Sequence, residues 1–486
     1  MDTFGPVLVV VSRVLMGFSL AFLVPLGWAL AMDERTLPPV WAAAFAGTLA
    51  AGLVLAALVR RHQRELQPKD GFLLVTLVWV LLPACSAIPL MFTVPEIGLA
   101  KAYFESMSAL TATGATALTG LDALPVSVNV WRCFLQYVGG LGIILLVVAV
   151  LPLLGLGGMQ LYRAEAPGPM KDAKLTPRIA ETARGLWTVY FVLSAFCMLA
   201  YRWAGMSWPD AFMHMCTTMG LGGFSSHDAS FGYWNSPWID GVAIVFMSLA
   251  GISFLRYFIV LRSRSLGVLV NDQEVRAYVA VLAGSVVLLT VVLMENGVYP
   301  DFAQALRMAA FQVVSLATTT GYASTDYALW PVFAPAWLIF LGCFASCAGS
   351  TGGGIKMVRM IMLVKQSRRE LVRIIHHRVI NPVTFGGSPV PASVIPNVMA
   401  YMLIYGASLV GLTMVMLLTG LDLTTGFTAV IVTVNNIGPG LGGVGPAANF
   451  GWLNDFQLWV LSFAMLLGRL ELLSVLVLFT GAFWRK

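Results

Sequence analysis

The chain has 486 residues, of which 58% are hydrophobic and only 11% charged, with a formal net charge of +6 and a mean hydropathy of +0.83. Soluble domains carry about 25% charged residues, so a soluble globular domain is excluded and a membrane-embedded chain is expected. Cys85, Cys133, Cys197, Cys216, Cys343 and Cys347 all fall in apolar segments without a CxxC pair or a Cys/His cluster, which argues against disulfides and structural zinc.

Apolar runs lie near 7–30, 40–59, 72–94, 128–154, 186–204, 237–261, 277–298, 332–364, 396–420 and 456–484. A helix needs roughly 20 apolar residues to span a bilayer, so ten spanning helices are predicted. The first run starts at Met1-Asp2 without a basic leader and is expected to be retained, not cleaved. Segments near 98–110, 209–218, 302–316 and 424–434 are too short to span, and each runs into a glycine-centred loop. They are predicted to be re-entrant half-helices, because irregular backbone at membrane depth is tolerated only inside protein or beside a watery cavity. The predicted fold is an all-α polytopic membrane protein. A helix pair (1–70) precedes four pseudo-symmetric units of helix, half-helix, loop and helix at 71–182, 183–272, 273–395 and 396–486.

The four loops are Thr111-Ala112-Thr113-Gly114, Gly220-Leu221-Gly222-Gly223, Thr318-Thr319-Thr320-Gly321 and Asn435-Asn436-Ile437-Gly438. Nine residues before the four glycines stand Glu105, His214, Gln312 and Ala429; six before stand Ser108, Thr217, Ser315 and Val432. An aromatic residue lies ten or eleven before each glycine: Tyr103 and Phe104, Phe212, Phe311, and Phe427. Polar residues thus recur at set places on three half-helices and are lost on the fourth. A dehydrated cation needs carbonyl oxygens in place of water. Aiming successive carbonyls inward favours glycine, and threonine hydroxyls add oxygen without fixed charge. Four such loops in one membrane chain predict a selectivity filter, with a K⁺ ion at Thr113, Gly114, Gly223, Thr320, Gly321 and Gly438.

Basic residues crowd the connections Arg60–Lys69, Arg163–Arg184, Arg262–Arg276 and Lys356–Arg378, whereas 205–240 and 420–455 contain aspartates and no Lys or Arg. The positive-inside rule then places both termini and the basic loops in the cytoplasm. The filter loops open outward into an acidic vestibule that concentrates cations. This alternation makes the basic excess a matter of topology, and no nucleic-acid partner is expected.

Two glycine-rich stretches are decoys. Gly438-Pro-Gly440-Leu-Gly-Gly443 has the letters of a dinucleotide fingerprint without a strand before it. Gly349-Ser-Thr-Gly-Gly-Gly354-Ile-Lys356 resembles a phosphate loop but has Ile355 before the lysine and Met357 after it. The stretch Gly349, Ser350, Thr351, Gly352, Gly353, Gly354 instead predicts an unwound break inside 332–364. It reads as a flexible gate or as a tight helix crossing. Arg469 lies near the middle of the last run, two residues from Glu471. It would either project into the pore as an electrostatic barrier or pair with an acid on another helix. His214 is expected to be a hydrogen-bonding residue of a half-helix, and His227 a vestibule residue; neither is read as a metal ligand.

The loops TATGAT, GLGGFSSHD, TTTGYASTD and NNIGPGLGG, together with CAGSTGGGIKMVR and GRLE, resemble the TrkH type of the Trk/Ktr/HKT potassium transporters over essentially the whole chain. That resemblance implies four membrane–pore–membrane repeats in a pseudo-fourfold ring after an extra helix pair. It also implies a homodimer with one pore per subunit and a cytosolic, nucleotide-binding regulatory subunit of the TrkA type. By the resemblance, Gly114, Gly223, Gly321 and Gly438 are filter glycines, Gly349–Gly354 is an intramembrane gating loop and Arg469 a pore arginine. Serine at the first filter position goes with sodium preference in related plant transporters, so Gly114 favours potassium. The expected function is potassium uptake across the cytoplasmic membrane through a gated, channel-like pore, in contact with membrane lipids and without a cofactor or enzymatic activity. The alternatives are a symporter coupled to H⁺ or Na⁺, or a weakly selective K⁺/Na⁺ pore.

Overall fold

A computed structural model of the chain describes residues 4–60, 67–146, 175–379 and 381–485. The far end of the 128–154 run and much of the basic connection Arg163–Arg184 lie outside them. Among the described residues, six helices are long and apolar enough to cross a membrane: Gly5–Ala31, Pro38–Val59, Lys69–Thr93, Glu181–Ala204, Gln273–Glu295 and Val394–Leu418. The count rises to eight when each of two sharply bent helix pairs is taken as one span. The only strands described are the two-residue pair Thr384–Phe385 and Ser388–Pro389. The chain is an all-α polytopic membrane protein.

The half-helices are Leu99–Leu110, Trp208–Gly220, Phe302–Ala317 and Leu423–Val434. At 1.5 Å per residue none reaches the roughly 30 Å of a hydrocarbon core. Three have a side-chain N-cap: Ser207 accepts from Asp210 N, Asp301 from Gln304 N and Asp422 from Thr425 N. Each cap fixes where the chain turns inward, and replacing one costs about 1 kcal/mol.

Three of the four helices that follow the glycine loops are broken partway along. The expected run 237–261 is Pro237–Ala250 and Phe254–Ser263, bent by 82°. The run 332–364 becomes Phe333–Phe344, a non-helical stretch through 345–356, and Met357–Ile375. The run 456–484 is bent by 110° between Asp455–Arg469 and Leu473–Phe479. Arg469 therefore ends a helix and does not lie midway along one. Glu471 and Leu472, with φ of 57° and 42°, supply the left-handed backbone that turns the chain there.

Close glycine contacts seat these inner helices on the half-helix ends. A Cβ at Gly139 would lie 1.9 Å from Leu110 O, and one at Gly468 would lie 1.9 Å from Val434 O. The N-terminal helices pack on the helix Val126–Leu145 through Trp131, whose ring stacks 4.4 Å from Phe22 and lies 5.7 Å from Trp41. Trp41 Nε1 also donates to Ser127 Oγ at 3.1 Å.

Candidate functional site

All four half-helices end in the same hydrogen-bonded turn. The amide one residue before the glycine donates five residues back: Thr113 N to Ser108 O, Gly222 N to Thr217 O, Thr320 N to Ser315 O and Ile437 N to Val432 O, all at 2.8–2.9 Å. The amide before it donates three residues back, as in Ala112 N to Ala109 O and Asn436 N to Thr433 O. This is a Schellman ending, which puts the next-to-last residue in the left-handed region, normally on glycine. Here that residue is Ala112, Leu221, Thr319 or Asn436, at φ of 50–61°. A non-glycine residue there costs about 1–2 kcal/mol. It also leaves the loop fewer conformations than glycine would.

Two residues on, Gly114, Gly223, Gly321 and Gly438 return to positive φ, at 82°, 76°, 83° and 101°. A Cβ on each would meet the carbonyl that precedes the glycine of the next loop. The distances are 2.1 Å from Gly114 to Gly222 O, 1.9 Å from Gly223 to Thr320 O, 2.0 Å from Gly321 to Ile437 O and 2.8 Å from Gly438 to Thr113 O. The sequence of contacts, loop one to two to three to four and back to one, closes a ring. Among the described residues no protein donor reaches the carbonyls of Ala112, Thr113, Thr319, Thr320, Asn436 or Ile437, whereas Gly222 O accepts from Gln136 Nε2 at 2.8 Å. Buried carbonyls are rarely left unpaired, and in channel filters rings of carbonyls replace a cation's hydration shell. The negative ends of four helix dipoles converge on the same point.

The polar side chains of the loops mostly brace them. Thr111 and Thr113 share a hydroxyl contact of 2.7 Å, as do Thr318 and Thr320 in the third loop. Asn435 turns away from the ring to Tyr405, with Nδ2 2.8 Å from the phenol oxygen. Asn436 Nδ2 donates to Thr113 Oγ1 at 2.9 Å and so ties the fourth loop to the first. The polar residues nine before the first three glycines hook the strand that leaves each loop. Glu105 accepts from Ala117 N at 2.8 Å, His214 Nε2 lies 3.0 Å from Ser225 Oγ, and Gln312 Nε2 donates to Ser324 Oγ at 3.3 Å.

On the downstream side of the ring an open vestibule is bordered by Gly114, Gly223, Gly321 and Pro439. His227 and Asp228 face it. His227 Nδ1 bonds Asp122 Oδ1, and its ring stacks 3.6 Å from Tyr233. Partial burial lowers the proton affinity of His227, but the flanking Asp210 and Asp122 carboxylates outweigh it and its pKa is raised.

On the opposite side the 345–356 loop lies beneath the half-helix ends. Thr351 Oγ1 donates to Met219 O at 3.0 Å, and Gly353 N donates to Thr319 Oγ1 at 2.7 Å. Cβ atoms at Gly352 and Gly353 would lie 2.9 Å from Thr318 O and 2.2 Å from Asn435 O. The loop therefore touches the second, third and fourth half-helix ends and has no room for larger residues. Gly349 and Gly354 take φ of +78° where it turns. Ser350 Oγ closes locally on Cys347 O at 2.7 Å. The carboxylate of Glu274 holds both feet of the loop, accepting from Ala348 N at 2.7 Å and Val358 N at 3.1 Å.

Arg469 is buried beside this loop. Its guanidinium donates to Thr351 O at 2.8 Å and Gly139 O at 3.3 Å, and stands 5.8 Å from the Trp79 ring. Among the described residues no carboxylate pairs with it; Glu471 is engaged by Arg359. Sequence reasoning did not find Gln136, Glu274 or Tyr405. Each comes from a distant part of the chain, and no local spacing marks it.

The TrkH family of cation transport proteins matches residues 37–486. The chain belongs to the TrkH family. The Trk system potassium uptake protein TrkH of Salmonella typhimurium is 44% identical over 439 residues, 90% of either chain. That of Halomonas elongata is 42% identical over 489 residues, covering 99% of both. The crystal structure of the potassium transporter TrkH from Vibrio parahaemolyticus superimposes with a TM-score of 0.92 at 38% identity, covering 99% of this chain and all of that one. TrkH architecture thus extends over the whole chain.

Proposed function

We propose that the chain takes up potassium across the cytoplasmic membrane through the pore at the centre of the ring. The 111–114, 220–223, 318–321 and 435–438 loops form its selectivity filter. The observation that carries this reading is the closed ring of carbonyls at the meeting point of four half-helix ends, all but Gly222 O without a protein donor among the described residues. The printed names of its TrkH relatives, potassium uptake proteins, point the same way. A channel-like path is favoured over a coupled symporter. Of the buried acids, Glu105 is held by Arg132, Glu274 by backbone amides and Asp272 by Arg256, and Asp240 lies 3.4 Å from Arg307, so no chain of free carboxyls forms a proton relay among the described residues. The same reading includes cytoplasmic termini and a homodimer with one pore per subunit. It also includes a TrkA-type nucleotide-binding subunit acting on the basic helix Met357–Ile375, which leaves the gating loop directly. Expression in cells stripped of their own potassium uptake tests the activity. Growth on limiting K⁺ is expected, and failure to grow with the protein folded in the membrane contradicts the proposal.

Arg469 acts in this reading as an electrostatic barrier under the filter. A unit charge repels a cation by about 4 kcal/mol at 4 Å and an effective dielectric of 20, and water and neighbouring carbonyls reduce that figure. Arg469→Ala is expected to raise K⁺ flux per folded protein by about tenfold, close to 1.4 kcal/mol, with the ion ranking preserved. Folded yield should hold, because no paired carboxylate is stranded. Unaltered or reduced flux at normal yield rejects the barrier.

A further inference from the structure

Asn129, Arg132 and Gln136 lie at i, i+3 and i+7 on the inner helix of the first repeat, Val126–Leu145, and therefore share one face. That face meets the boundary between the first and second filter loops. Arg132 Nε and Nη2 bond Glu105 Oε1 at 2.8 and 2.7 Å, and Nη2 also donates to Thr116 Oγ1 at 3.1 Å. Thr116 is two residues past Gly114. Nη1 donates to Asn129 Oδ1 at 3.0 Å and to Ser225 O, two residues past Gly223, at 3.4 Å. The guanidinium also covers the Phe224 ring at 4.4 Å. One turn on, Gln136 accepts from Phe224 N at 3.1 Å and donates to Gly222 O. Arg132 and Glu105 are 1% and 0% exposed, so these bonds are shielded from water.

The helices that follow the other three loops have no such cation: Pro237–Ala250 and Phe333–Phe344 contain no Lys or Arg, and Asp455–Arg469 contains only Arg469 at its end. We infer that Arg132, with Glu105, is a specificity-determining positioning residue that fixes the spacing of the first and second loops and so sets the discrimination between K⁺ and Na⁺. The inference rests on the filter reading above. Its physical basis is the planar fork of arginine, which engages both loops and a carboxylate at once with charge-assisted bonds. A filter that ranks ions by carbonyl spacing needs its supporting shell held to fractions of an ångström. Loops three and four have no such charged brace among the described residues, so the ring is stiffest where Gly114 meets Gly222.

The test is the K⁺/Na⁺ flux ratio per folded protein in liposomes for Glu105→Gln/Arg132→Gln, with Gly114→Ser alongside. The double change removes both charges, so no buried ion is orphaned. The expected result is a ratio about tenfold lower with total cation flux retained within about threefold, because the path remains while its spacing relaxes. A wild-type ratio in the double variant, with a lowered ratio in Gly114→Ser, overturns the inference and leaves the filter standing. Wild-type ratios in both overturn the filter reading itself. If the double variant does not fold, Arg132→Lys decides, since it keeps the charge and loses the fork. A retained ratio there overturns the inference, and loss of folded protein in both variants assigns the pair to folding and overturns it too.

Discussion

Serine at Gly114, Gly223 or Gly321 is expected to abolish selective conduction, and serine at Gly438 to impair it less. The first three glycines have a neighbouring loop's carbonyl oxygen 1.9–2.1 Å from where a Cβ would sit. That obstacle is backbone, anchored by the hydrogen bonds of its own Schellman turn, and cannot swing aside as a side chain does. At Gly438 the clearance is 2.8 Å, so a smaller shift accommodates the new atom. All four residues also sit at positive φ, which costs an L-residue about 1–2 kcal/mol before any contact is counted. Overpacking adds about 1–3 kcal/mol. A strain of about 2 kcal/mol or more at the ring corresponds to roughly 30-fold in rate. The K⁺/Na⁺ flux ratio per folded protein should fall by at least that factor at Gly114, Gly223 and Gly321. Folded variants with unchanged ratios at Gly114 and Gly321 remove these loops from the filter.

Deleting Thr351–Gly353 is expected to raise basal K⁺ flux by about tenfold or more and to blunt its regulation. The deleted tip carries the contacts to Met219 O and Thr319 Oγ1, and the Thr351 carbonyl that receives Arg469. The feet of the loop stay pinned. Ile355 N bonds Cys343 O at 2.7 Å, Met357 N bonds Ser346 O at 2.8 Å, and Glu274 holds Ala348 and Val358. The deletion therefore shortens an obstruction without releasing the helices on either side. Tenfold corresponds to removing about 1.4 kcal/mol of barrier, modest for three residues packed against the half-helix ends. Unchanged flux and regulation in a folded deletion protein would make the loop a packing device.

The half-helices and the positive-φ glycines beyond them were legible in the sequence because their constraints are local. A run of a dozen apolar residues too short to span, ending in a glycine that the backbone needs, reads directly from composition and spacing. The polar positions nine before the glycines were visible as a repeat, but their work on the outgoing strand was not. Glu105 reaches Ala117 and His214 reaches Ser225 only once the chain has folded back. The bends after Ala250 and Arg469 were hidden because apolar residues continue through them: Leu470 and Leu472 read like more helix, although Leu472 takes positive φ. Asn435 and Asn436 stood out as departures from Thr/Gly chemistry. Their side chains are committed to Tyr405 and Thr113, partners 30 and 323 residues away. Long-range partners of this kind also explain why Gln136 and Glu274 left no trace in local sequence.

The central claim is that a carbonyl ring in this chain passes potassium selectively. Uptake of ⁸⁶Rb⁺ by liposomes holding the purified protein, with K⁺, Rb⁺, Na⁺ or Li⁺ as competitor and with or without a pH gradient, tests it most directly. The account predicts strong and similar competition by K⁺ and Rb⁺, weak competition by Na⁺ and Li⁺, and no dependence on the pH gradient. Equal competition by all four ions, or uptake that requires the gradient, would contradict it.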